Sequence, residues 1–185
     1  ENSAHLKQMS NLKKLKVSDL IASFLEEKKI KVAFGIIGSA NAHIFDSIEK
    51  KGYTKIVYVH HEQSAVMAAG AYYRTCGQIS AALVTAGPGA ANAITGVVSN
   101  WADSIPTLIL SGQESSGYLT EHATLRMRGT QGFEASKMVK DITKHSCVVE
   151  KPEDTLFELN KSIFLAGEGR PGPAWVEFPF DVQSK

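Results

Sequence analysis

Ile56-Val57-Tyr58-Val59-His60-His61-Glu62-Gln63 joins a short apolar run to the head of a small-residue helix, Ser64 to Tyr73. Thr85-Ala86-Gly87-Pro88-Gly89 repeats the arrangement after the apolar run 79–84. Apolar runs of strand length, each passing through a polar or glycine-rich corner into a helix, read as strands of a parallel sheet covered on both faces. Outward from these corners the alternation continues. Residues 17–28 place Val17, Leu20, Ile21, Phe24 and Leu25 on one helical stripe, with Ser18 as the N-cap. A strand over 31–37 ends at Gly38-Ser39, and a helix over 40–50 is stopped by Gly52. Strands over 55–59, 79–84 and 107–110 alternate with helices over 62–76 and 88–101. Segments 133–142, 146–149, 153–166 and 174–178 complete the pattern. The expected fold is α/β: a doubly wound, mainly parallel sheet with helices on both faces. The polar stretch 111–132 is long for a connection, which predicts a functional or mobile loop.

The chain has 185 residues, 43% hydrophobic and 21% charged, enough for one domain with a substantial core. Twenty basic residues against nineteen acidic ones give a net charge of +1, which offers no broad attraction for nucleic acid or an anionic membrane. No apolar run is long enough to span a bilayer, and no signal peptide is visible, so a cytoplasmic location is expected. The two cysteines, Cys76 and Cys147, have no metal or C-x-x-C spacing and read as buried free thiols. Residues 1–16 are polar and lysine-rich and read as a disordered or non-native extension, leaving 17–185 as the domain.

Several motifs are excluded by context. Gly167-Glu168-Gly169-Arg170-Pro171-Gly172 fits G-x-G-x-x-G, but it follows a helix and precedes a strand, and its prolines prevent a helix from opening there. It reads as a tight connection. His60, His61 and Glu62 do not make H-E-x-x-H, and neighbouring strand residues point to opposite sides, so no metal is assigned to them. A nucleophile elbow and a Walker loop are both absent.

Glu62 lies where a strand's C-terminal end meets a helix's first turn, the ligand-binding edge of an open α/β sheet. By itself it reads equally as a first-turn acid favoured by the helix dipole. The glycine corner by itself reads as a tight turn, with Pro88 in a first helical turn and Asn92 one turn later able to present an amide.

Together the pieces say more. Phe34-Gly35-Ile36-Ile37-Gly38-Ser39, His61-Glu62-Gln63, Thr85 through Asn92, Gly169 through Pro173 and Pro179 through Gln183 occur in this order. The set resembles the N-terminal, pyrimidine-binding domain of thiamine-diphosphate-dependent enzymes, acetolactate synthase-like, over about residues 16–183. The resemblance implies that Glu62 hydrogen-bonds the cofactor's aminopyrimidine ring and promotes loss of the thiazolium proton, with an α-keto acid as substrate for decarboxylation or carboligation. It implies that Gly38, Pro88 and Asn92 line the cofactor and that Ser39 and Gln131 face the substrate. Thr130 and Gly132 flank Gln131 where the family has an aromatic residue and a glutamate. Ile36 to Ala40 also departs from the biosynthetic acetolactate synthases and is more similar to sulfoacetaldehyde acetyltransferase.

The family holds the diphosphate through Mg²⁺ with a Gly-Asp-Gly segment, and these residues contain none. The resemblance therefore implies a complementary diphosphate-binding domain, from another subunit of a homo-oligomer, and no activity for the chain alone. FAD elsewhere in the full enzyme is left open. Lys185 falls where larger members pass into a linker, so the expectation is the first domain of a larger enzyme. The alternatives are a separate subunit of a split enzyme, such as sulfopyruvate decarboxylase, and a non-catalytic regulatory module.

Overall fold

A computed structural model describes residues 15–121 and 124–185, without the side chains of 120 and 121. The extension expected over 1–16 lies outside the described residues up to position 14. Lys16, by contrast, belongs to the fold: its ammonium lies 3.7 Å from Asp46 and its carbonyl accepts from the backbone of Asp19 and Leu20.

In chain order the elements are α1 (Val17–Glu27), β1 (Val32–Gly35), a 3₁₀ turn (Ser39–Asn41), α2 (Ala42–Lys51), β2 (Lys55–Tyr58), α3 (Glu62–Cys76), β3 (Ala81–Val84) and α4 (Pro88–Ala102). There follow β4 (Leu108–Gln113), α5 (Ser116–Glu121), α6 (Ala135–Met138), a 3₁₀ turn (Lys140–Ile142), β5 (His145–Val148), α7 (Thr155–Gly167), β6 (Ala174–Pro179) and α8 (Phe180–Gln183). The described strands form one sheet in the order β2-β1-β3-β4-β6-β5, and every pairing is parallel. The doubly wound α/β fold is therefore observed.

Strand alternation divides the core into two faces. Leu83, Leu108, Leu110, Val176 and Phe178 face Ile21, Phe24, Leu25, Phe45 and Leu159 from α1, α2 and α7. Ala82, Val84, Ile109 and Trp175 face Ala65, Val66, Ala69, Ala93 and Val97 from α3 and α4. β3, β4 and β6 are buried throughout, which is why they carry near-continuous apolar runs.

Several boundaries differ from the expected ones. Ser18 does not cap α1; Lys16 holds that position, and Ser18 is buried, accepting from Ser47 Oγ at 2.9 Å. β4 continues to Gln113, because Ser111, Gly112 and Gln113 pair with β6 and are buried despite their polarity. The expected loop also contains α5, and segment 133–142 splits into α6 and a 3₁₀ turn. Gly52 does end α2, in the left-handed conformation. Among the described residues no helix is long and apolar enough to cross a membrane.

α3 and α4 pack together through small residues, and one polar side chain ties them to the sheet. Buried Asn100 donates through Nδ2 to the Val66 carbonyl at 3.1 Å and to Thr107 Oγ1 at 3.3 Å. Asn100→Ala removes both bonds and leaves the Thr107 hydroxyl short of a partner in the interior. It is expected to destabilise the chain by about 1–3 kcal/mol, read as a lower urea midpoint. An unchanged midpoint would show that this bond network contributes nothing to helix docking.

Candidate functional site

Parallel strands deliver their C-terminal ends to one edge, and the strand order reverses between β1 and β3, which opens a crevice there. Both corners singled out in the sequence lie on that edge. Glu62 is the first residue of α3, buried to 8% exposure, where a negative charge meets the helix's positive end. The preceding His61 caps the helix, its Nδ1 accepting from the Gln63 backbone N–H at 3.2 Å. That contact uses a ring nitrogen of His61 and gives it a structural role.

Across the crevice, Pro88 opens α4, and Gly87 precedes it at φ 63° and ψ −130°, a conformation that favours glycine. Asn92, one turn into α4, donates through Nδ2 to Glu62 Oε2 at 3.0 Å. The amide expected to face a ligand thus also orients the carboxylate. Between them lies Gly89: a Cβ there would stand 2.9 Å from Glu62 Oε1 and 2.6 Å from Thr85 Cγ2. The carboxylate can occupy this position only because residue 89 has no side chain.

Thr85 continues the wall toward β1. Gly38 passes so close that a Cβ would fall 2.7 Å from Thr85 Oγ1. Buried Asn41 fixes this loop, accepting from the Gly38 N–H at 2.7 Å and donating to the Ile36 carbonyl at 3.1 Å. Gln183 holds the same loop from the other side, donating to the Ala40 carbonyl at 2.7 Å. Ser39 projects beyond it into an open cavity of about 170 Å³ also lined by Ala86, Gln113, Glu114, Gln131 and Phe180. Complete ligand pockets run to roughly 300–1,000 Å³, so this cavity has the dimensions of part of a site.

The structure thus brings Gly38, Ser39, Glu62, Pro88, Asn92 and Gln131 to one sheet edge. Gln131 reaches it because Gly87 gives way: a Cβ on Gly87 would lie 2.7 Å from Gln131 Cβ. Its backbone N–H donates to Glu114 Oε1 at 2.9 Å.

Behind the cavity lies a group that the sequence reading passed over. Glu177 of β6 is fully buried and accepts from the Ser136 backbone N–H and from Gln113 Nε2. Burial pushes its carboxyl up to about 7, against the hydrogen bonds that favour the charged form. Its signal was a lone acid inside the apolar run Trp175-Val176-Glu177-Phe178. Gln113 passes the contact on, donating to the Phe133 carbonyl at 2.8 Å and accepting from the Glu114 N–H at 2.9 Å. Asn41 and Gln113 carry no sequence signal of their own; Asn41 acts within its own loop, and Gln113 is revealed only by its contacts with Phe133 and Glu177.

Comparison with known proteins decides the family. The family described as thiamine pyrophosphate enzyme, N-terminal TPP binding domain, matches residues 15–136. The chain belongs to this family. Among relatives of this thiamine pyrophosphate-binding domain, an acetolactate synthase large subunit of Haemophilus influenzae is 36% identical over 174 residues, covering 92% of the chain and 29% of that protein. The acetolactate synthase isozyme 3 large subunit of Escherichia coli is 36% identical over 168 residues, covering 89% and 28%. The chloroplastic acetolactate synthase of Arabidopsis thaliana is 32% identical over 173 residues, covering 92% and 24%. The domain therefore spans less than a third of the length of these relatives. It is an acetolactate synthase-like member of a thiamine pyrophosphate-dependent enzyme family.

The residues present fit one side of such a cofactor. A buried carboxylate, oriented by an amide and packed against Gly89, stands at the open edge of the sheet, which suits a flat, polar ring lying against it. Ile37, two residues past β1, and Tyr58, the last residue of β2, are 56% and 55% exposed, and Phe180 is 37% exposed beside the cavity.

Proposed function

We propose that this domain supplies the aminopyrimidine-binding half of the active site of an α-keto acid decarboxylase or carboligase. The observation that carries the reading is Glu62, buried at the start of α3 and held 3.0 Å from the Asn92 amide. Thiamine diphosphate, when bound, supplies the electron sink for the bond cleavage next to the substrate carbonyl. The chain's own residues bind and orient. Glu62 Oε1 would accept from a ring nitrogen, Asn92 fixes the carboxylate plane, and Gly38, Pro88 and Gly89 would line the ring. Ser39 and Gln131 face the reacting end, with Gln113 and Glu114 behind them.

Diphosphate and Mg²⁺ need carboxylate and carbonyl oxygens grouped around the phosphates, and no Gly-Asp-Gly run exists in these residues. On this reading the anchor comes from other residues, in this protein or in a partner subunit, and these 185 residues alone do not turn over substrate. A homo-oligomer that closes the site over the cavity beside Phe180 is the expected assembly.

The reading is tested by mixing the chain with a chain carrying a Gly-Asp-Gly diphosphate domain of the same family. Cofactor-dependent release of CO₂ from pyruvate or a longer α-keto acid is expected only with both present. Absence of thiamine diphosphate binding in the mixture would instead favour a non-catalytic module.

A further inference from the structure

A second cluster of donors lies away from the cofactor edge, on the far side of the sheet. His145 and Cys147 belong to β5, the edge strand after β6, and their i, i+2 spacing puts both on one face. Glu158, in the first turn of α7, meets them there. The imidazole nitrogen, the thiol sulfur and a carboxylate oxygen lie within 4.8 Å of one another. His145 Nε2 is 2.7 Å from Glu158 Oε2. Among the described residues, three such donors converge nowhere else.

We propose that His145, Cys147 and Glu158 form a binding site for one divalent transition-metal ion of the zinc class, with a fourth position open to water. The donor set selects the ion. A nitrogen, a sulfur and a carboxylate oxygen suit borderline-soft Zn²⁺, whereas Mg²⁺ and Ca²⁺ require shells of oxygen. Charge agrees: one thiolate and one carboxylate neutralise a divalent ion, and His145 adds a neutral nitrogen.

The distances are within side-chain rotation of a metal site. Tetrahedral zinc with bonds of about 2.0–2.3 Å places its ligand atoms roughly 3.4 Å apart. The His145–Glu158 pair at 2.7 Å must open and the wider separations, up to 4.8 Å, must close, both by side-chain rotation on β5 and α7. Access is available, since the His145 and Glu158 side chains retain 13% and 19% of their exposure. Burial, with Glu158 beside it, keeps the Cys147 thiol protonated in the metal-free chain, so coordination releases that proton to solvent. A closed hydrogen-bonded triad that takes no metal is the opposing account. The site is independent of the cofactor reading.

The test titrates the purified 185-residue chain with Zn²⁺ by calorimetry and with Co²⁺ by absorption. One ion per chain and a thiolate-to-cobalt charge-transfer band are expected. Cys147→Ser and His145→Gln should each weaken zinc binding by at least the about 10–100-fold that follows loss of a group that merely orients a ligand. Cys76→Ser and His60→Gln should leave it unchanged. Failure to bind one zinc per chain, or loss of binding in Cys76→Ser, overturns the proposal. A cobalt complex without the thiolate band does so using the unmodified chain, whatever the folding of the variants.

Discussion

Replacing Glu62 by Gln is expected to lower α-keto acid turnover by about 10²–10⁴-fold in a complete enzyme carrying this domain, with the fold intact. The substitution preserves volume and keeps an oxygen that can accept from Asn92, so the contact now 3.0 Å long survives. Gly89, which leaves space for the carboxylate at 2.9 Å from its would-be Cβ, accommodates an amide equally well. What disappears is the ability to hold a negative charge, or to take up a proton, beside a ring nitrogen. That capacity alone separates the two side chains, so the loss should fall on turnover with little change in substrate KM or in the near-ultraviolet circular dichroism. Near wild-type turnover in the Gln variant would remove Glu62 from the chemistry and leave it only a first-turn helix charge.

Much of this edge could be read from the chain, because it is built from local signals. The apolar run 56–59 passes into α3 at Glu62, and Pro88 opens α4. The continuous apolar run 81–84 reads as a strand covered on both faces, and its residues do divide between the two core clusters. What could not be read depends on partners distant in sequence. Ser18 had the right chemistry for a cap, but a partner 29 residues away, Ser47, places its hydroxyl in the interior. Ser111-Gly112-Gln113 has the composition of a loop, yet pairing with β6 extends the strand through it. Cys76 was expected to be buried and is exposed, since it ends α3 on the helix's outer side. Glu158 joins His145 and Cys147 from a different element, which no spacing rule between cysteines and histidines reveals.

Glu177 illustrates the same limit, and its titration should be visible in stability. The carboxyl rises from its ordinary 4.5 to about 7 because burial disfavours the charged form. Between those values the folded chain binds more protons than the unfolded one. Stability must therefore fall as pH rises through this window, by up to about 3 kcal/mol from this group. Below about 4.5 the contribution is fully present; above about 7 it is fully lost. Glu177→Gln carries no charge at any pH. Its amide nitrogen must face either the Ser136 N–H or Gln113 Nε2, both of which are donors, so the variant loses one hydrogen bond. That loss is a constant offset, while the titration changes the slope. Urea unfolding of both proteins from pH 4.5 to 8 separates the two effects: the wild type should lose stability relative to the variant as pH rises. Parallel profiles would show that Glu177 keeps an ordinary carboxyl. Profiles whose difference changes between pH 4.5 and 7 would show the raised carboxyl directly. Hydrogen bonds from Gln113 through Glu114 to the Gln131 backbone connect Glu177 to the mouth of the cavity, so the pH profile of ligand binding there is the companion measurement.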